Sequence, residues 1–135
     1  MNLFEQACSW HDSANKLLEN EFYQQSIYHY CLAGELYLKS VLHLVPHNTE
    51  LEISHDIIGI YSAISSKYGK ETKVTDAVKF LRKYFNESRY PTSDVIFTLQ
   101  LSDDFANYAK CIRDYIENKC HISVNDLMNY FNSHK

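Results

Sequence analysis

A chain of 135 residues has length for one hydrophobic core and none to spare for a second. Its 45% hydrophobic and 22% charged content excludes a disordered chain, and no stretch approaches the roughly twenty apolar residues that a membrane helix needs. With only three Gly and two Pro, an all-β chain is excluded too, because its turns would demand more of both; the expected class is all-α, in one domain over residues 1–135.

The net charge of −4 is unevenly spread. Between Lys67 and Arg89 lie seven basic and three acidic residues, a local +4, while the remainder holds six basic and fourteen acidic, hence −8. Such an island can concentrate phosphate at one place on an acidic protein; the same lysines can equally just solvate the outer face of a helix.

The first helix is expected from about Asn2 to Leu18, because Leu3, Ala7, Trp10, Ala14 and Leu17 recur at steps of four and three. A longer second helix follows from about Phe22 to Val45, stopped by Pro46. It carries apolar stripes on two sides, so neighbours flank it on both and it is the central element. Gly34 inside it costs about 1 kcal/mol relative to Ala, which points to close approach of another backbone. Residues 46–53 form a loop. Ser54 is the expected cap of a third helix on Ile57, Tyr61, Ile64 and Tyr68, closed by Gly69. Thr72 or Thr75 caps a fourth helix on Val74, Val78, Leu81 and Phe85. Residues 86–94 are expected as a polar loop, with Pro91 holding Tyr90 extended. The run 95–99 fits a strand or a helical turn equally. Ser102 caps a long helix on Phe105, Ala109, Ile112, Ile116 and Cys120, and Ser123 with Asp126 opens a last short one.

Cys8, Cys31, Cys111 and Cys120 form no C-x-x-C pair, and the N-terminus has no signal-peptide pattern, so reduced thiols in the cytoplasm are expected. No metal site is expected: His43 and His47 stand four apart, but Pro46 breaks the helix that would align them. There is no Gly-rich phosphate loop and no cofactor motif.

Three pieces of the sequence, in order, resemble the HEPN family (higher eukaryote and prokaryote nucleotide-binding domains). Ala33-Gly34-Glu35-Leu36-Tyr37-Leu38-Lys39-Ser40-Val41-Leu42 is similar to the family's A-x-E-x-x-L-K-x-x-L stretch. Ser54-His55-Asp56-Ile57 resembles its S/T-H-D-L, and Arg89-Tyr90-Pro91 its R-Y-P. The resemblance implies an up-and-down antiparallel bundle, here of four to five main helices plus the short C-terminal one. It also implies a homodimer and ties to nucleotides, RNA or a nucleotidyltransferase-like partner.

Four residues are the nucleotide- or phosphate-binding candidates. Lys39 follows Glu35 by four, which suits either an intrahelical ion pair or an ammonium offered to phosphate. His55 stands at a helix start whose free N–H groups suit an anion, although Asp56 would repel one and reads better as a cap. Arg89 offers a guanidinium fork for phosphate and Tyr90 a ring for stacking a base; alternatively Arg89 locks its loop through helix-end carbonyls or Asp56.

No catalytic residue is expected. Ribonuclease members of the family carry an Arg followed, after four to six intervening residues, by a His. Here Arg113 reaches His121 only after seven intervening residues, and neither Arg82 nor Arg89 has a His in range. The expected function is therefore a non-catalytic module that engages a nucleotide or RNA, or docks on a nucleotidyltransferase-like protein. The alternatives are an RNA-cleaving toxin of a toxin–antitoxin pair and a purely structural scaffold, with the Tyr-rich second helix as the dimer surface.

Overall fold

The computed structural model of the chain describes residues 2–90 and 95–120. Among them are five α-helices and no strand: α1 (Leu3–Glu19), α2 (Tyr23–Lys39), α3 (Ile57–Tyr68), α4 (Thr72–Arg89) and α5 (Leu99–Asp114). The expected helix after Ser123 lies outside the described residues.

Three of the five helices, α1, α3 and α5, begin where a side chain satisfies a free N–H group. Asn2 accepts from Glu5 N at 2.8 Å to open α1. Asp56, not Ser54, caps α3 by accepting from Gly59 N at 3.1 Å. Thr98 opens α5 by accepting from Leu101 N at 3.1 Å, one turn before the expected start. Ser102 is instead buried inside α5, where its hydroxyl donates to the Tyr23 carbonyl at 3.2 Å and receives a bond from Ser26 Oγ. Neither threonine caps α4, whose cap position is Glu71 without a side-chain bond.

Two helix ends differ from expectation. α2 stops at Lys39, well before Pro46, and the chain continues as a 3-10 turn over Leu42–Leu44. Ser40 Oγ donates to the Tyr37 carbonyl at 2.6 Å, a local bond that competes with the helical ladder there. α4 runs on through Asn86–Arg89, so Arg89 is the last residue of a helix and not part of a loop. Tyr90 then turns extended at φ −118° and ψ 111°, the conformation that Pro91 imposes on its predecessor.

The registers follow from paired contacts. The Phe4 ring meets Tyr37 while His11, two turns further along α1, meets Tyr30, so α1 and α2 are antiparallel. Gln24 bonds the Ser88 carbonyl and Cys31 the Leu81 carbonyl, which sets α4 antiparallel to α2. The ring pairs Tyr84–Phe105 and Phe80–Tyr108 set α5 antiparallel to α4. The bundle α1-α2-α4-α5 thus alternates, and α3 rides beside it within the α2-to-α4 connection. His55, just ahead of α3, meets Glu35, and Lys67 at its tail donates to the Leu44 carbonyl.

α2 touches all four other helices, which explains its stripes on two sides. Phe4, Ile27, Tyr30, Tyr37, Leu38, Ile60, Ile64, Leu81, Phe105 and Ile112 are essentially inaccessible, each worth about 1.5–3 kcal/mol of burial. Gly34 sits where α4 and α5 meet α2, but side chains rather than a backbone crowd it. A Cβ there would run into Leu81 Cδ2 and lie 3.2 Å from Ile112 Cδ1. Gly69 ends α3 at φ +93°, a left-handed conformation suited to glycine. Of the tyrosines of α2, Tyr30 and Tyr37 are buried in the interior, while Tyr23 and Tyr28 are half-buried.

Between α1, α2 and α5 the core holds a polar group. His11 Nδ1 and Tyr37 OH share a 2.7 Å hydrogen bond, and Arg113 nearby pairs with Glu117 at 3.2 Å. Burial, helped by the Arg113 charge and opposed by Asp12, pulls the His11 pKa down, and burial alone does the same to His29. Both histidines are therefore held neutral when folded, and a proton binds the unfolded chain more readily. Their contribution is complete above pH about 6.5 and is lost as pH falls toward the lowered folded values. Urea melts should accordingly show stability dropping between pH 7.5 and 5.5, with a shallower drop in His11→Phe. An unchanged slope in that variant would rule His11 out as a source.

Candidate nucleotide-binding cleft

The C-terminal half of α4 closes over α2 and the start of α3, leaving a cleft of about 270 Å³. Cys31, Ile57, Leu81 and Phe85 form its apolar walls; Glu35, His55, Arg82, Asn86 and Arg89 supply its polar groups. Arg82, Phe85, Asn86 and Arg89 stand at i, i+3, i+4 and i+7, so one face of α4 delivers all four. Gln24 and Cys31 of α2 bond the Ser88 and Leu81 carbonyls at 3.1 and 3.7 Å and fix this end of α4 to the central helix.

Glu35 is the acidic floor. Its side chain is 5% exposed and answered from two sides: Lys39 Nζ at 3.4 Å from its own helix, and His55 Nδ1–H donating at 3.0 Å. A carboxylate only accepts, so this bond places a proton on Nδ1. The imidazole is itself 60% exposed and stacks on Phe85 with ring centres 5.3 Å apart and planes 29° from parallel. Asp56 turns away to cap α3, so the N–H groups at that helix start already have an acidic partner and offer no separate anion site.

Of the four candidates from sequence, His55 and Arg89 come together in the cleft. Lys39 does not line it; with a side chain 9% exposed, its ammonium is committed to Glu35. Tyr90 lies next to the cleft rather than in it, half exposed, with the Arg89 guanidinium 5.2 Å from its ring centre. Neither proposed lock on Arg89 is present, since among the described residues it makes no ion pair and Asp56 is occupied elsewhere. Arg82, Phe85 and Asn86 were not anticipated. The signal for them was the seven-residue spacing of Arg82 and Arg89, which is meaningful only once α4 is known to reach Arg89.

Arg113, the cation of the ribonuclease alternative, is tied to Glu117 at the far end of α5, and His121 lies outside the described residues. Among the described residues no group of three or more His, Cys, Asp or Glu side chains is arranged to hold a metal ion, and no helix is long and apolar enough to cross a membrane.

An all-α bundle with a cationic, aromatic-walled cleft between α2, α3 and α4 defines the class: a small helical-bundle domain. The HEPN domain family matches residues 1–119, and the chain belongs to that family, one of nucleotide-binding and RNA-related modules. No curated protein and no solved structure matches the chain.

Proposed function

We propose that this chain is a non-catalytic module that binds the phosphate of a nucleotide or of RNA in the cleft between α2, α3 and α4. The observation that carries this reading is the pair Arg82 and Arg89, both opening on the cleft without a carboxylate partner among the described residues. Counting Arg82 and Arg89 on the cleft and Lys39 behind its floor against Glu35, the cleft and its margin carry a formal +2 on a chain of net −4. Guanidinium forks match phosphate geometry, and the exposed face of His55, backed by Phe85, is a platform on which a base can stack.

Calorimetric titration with ATP tests this. Wild type should bind saturably and more weakly as salt rises. Arg82→Ala and Arg89→Ala should each lose about tenfold or more, the size of one charge-assisted hydrogen bond. Both arginines are exposed, so melting temperatures should hold. A well-folded wild type that takes up no ATP would sink the proposal and leave a scaffold.

A further inference from the structure

The cleft does not end the basic surface of α4. Lys79, Arg82, Lys83, Asn86 and Arg89 follow one another on its solvent side at helical spacing, and all five are exposed. Among the described residues none of the four cations forms an ion pair; Lys83 instead lies 5.3 Å over the Tyr84 ring. An ordinary solvated helix face intersperses both signs, and here from Lys79 to Arg89 the only acid is the half-buried Glu87. On the far flank of the same helix, Phe80 stacks on Tyr108 of α5 with planes 1° apart and centres at 5.2 Å, yet remains 40% exposed. An exposed phenyl backed by a parallel ring is a rigid flat surface beside a row of unpaired cations. Beyond it the sign reverses: burial first, then Asp104 and Asp76, push the Tyr108 pKa up, so the acidic groups begin at that edge.

We propose that the cleft is one end of a track for single-stranded nucleic acid, with Arg89, Arg82, Lys79 and Lys83 receiving successive phosphates and Phe80 receiving a base. The proposal rests on the phosphate reading of the cleft and names the ligand class as a short single strand rather than a free nucleotide. Lys79 to Arg89 spans ten residues, about 15 Å along the axis. A stacked strand carries one charge about every 3.4 Å, so the track spans about four phosphates. Duplex is disfavoured, because its bases are paired and present no face to Phe80.

The test compares AMP, a labelled four-adenosine RNA (A4) and a twelve-base-pair RNA duplex on the full chain, each at several salt concentrations. A4 should bind at least tenfold tighter than AMP and tighter than the duplex. The exposed double variant Lys79→Ala/Lys83→Ala should lose about tenfold for A4, with its salt slope reduced by about 1.4, and leave AMP unchanged. Phe80→Ala should cost A4 about five- to tenfold with the salt slope kept. AMP binding that depends on Arg89, with no gain for A4, overturns the track and leaves the cleft. Tight A4 binding that ignores Arg89 overturns the link between the two, and absence of binding by either probe overturns both.

Discussion

Gly34→Val should cost about 3 kcal/mol or more of folding stability, enough to remove a large part of what a small domain has. The residue is buried in the middle of α2, where Leu81 of α4 and Ile112 of α5 face it. A Cβ would run into Leu81 Cδ2 and reach Ile112 Cδ1 at 3.2 Å, and both neighbours are fully packed. Valine adds two methyls beyond that Cβ with one preferred rotamer in a helix, so it cannot swing them clear. Leu81 also walls the cleft, so any outward shift of α4 moves Arg82 on the next position. Relief of the glycine's entropic cost returns about 0.5 kcal/mol at most, since valine is itself a modest helix former. Gly34→Ala isolates the first contact: a gain of about 1 kcal/mol in propensity against an overpacking loss of about 1–3 kcal/mol. Urea denaturation of the three proteins measures this. A Gly34→Val chain with wild-type stability would mean that the crossing has slack which the packing does not show.

The helices were legible because their apolar residues recur at three and four, and burial follows that period: Phe4, Ala7 and Ala14 in α1, Val74, Ala77, Val78 and Leu81 in α4. The ends were less legible, for physical reasons that differ from case to case. Ser54 and Asp56 both qualify as caps, and which one serves depends on where the chain leaves the 3-10 turn at Thr49–Glu52. Ser102 has the composition of a cap but lies in the core, bonded to Tyr23 and Ser26 seventy-odd positions away, a tertiary demand that no local pattern contains. The most consequential miss is the end of α4. Asn86 and Ser88 have weak helix propensity, yet Ser88 is buried against α2 and its carbonyl is held by Gln24, so packing extends the helix by a full turn. That turn brings Arg89 into line with Arg82. Without it the candidates Lys39, His55, Arg89 and Tyr90 are four residues chosen one by one. With it, two of them join three unanticipated neighbours around a single space.

Glu35→Gln should weaken the fold and tighten the cleft at once. The carboxylate is almost fully buried and is the one group answering both Lys39 and His55. Removing one partner of a buried pair typically costs about 3–5 kcal/mol, because the remaining charge is left uncompensated. Here the amide oxygen still accepts a bond, and His55 stands largely in water, so a loss of about 2 kcal/mol is expected. For an anion in the cleft the sign is opposite. With Glu35 neutral, Lys39, Arg82 and Arg89 act without opposition and the formal charge rises from +2 to +3. One unit charge removed at roughly 8 Å, at an effective dielectric constant of about 20–40, is worth about 1–2 kcal/mol, or roughly five- to thirty-fold in Kd for a phosphate. A scaffold role for the Glu35–Lys39–His55 group predicts only the first effect, since a looser fold with no ligand gains no affinity. Parallel melting and ATP titration of Glu35→Gln therefore separate the two. Lower stability with tighter, more salt-sensitive binding places the phosphate beside Glu35, whereas lower stability with equal or weaker binding puts the ligand elsewhere on the molecule.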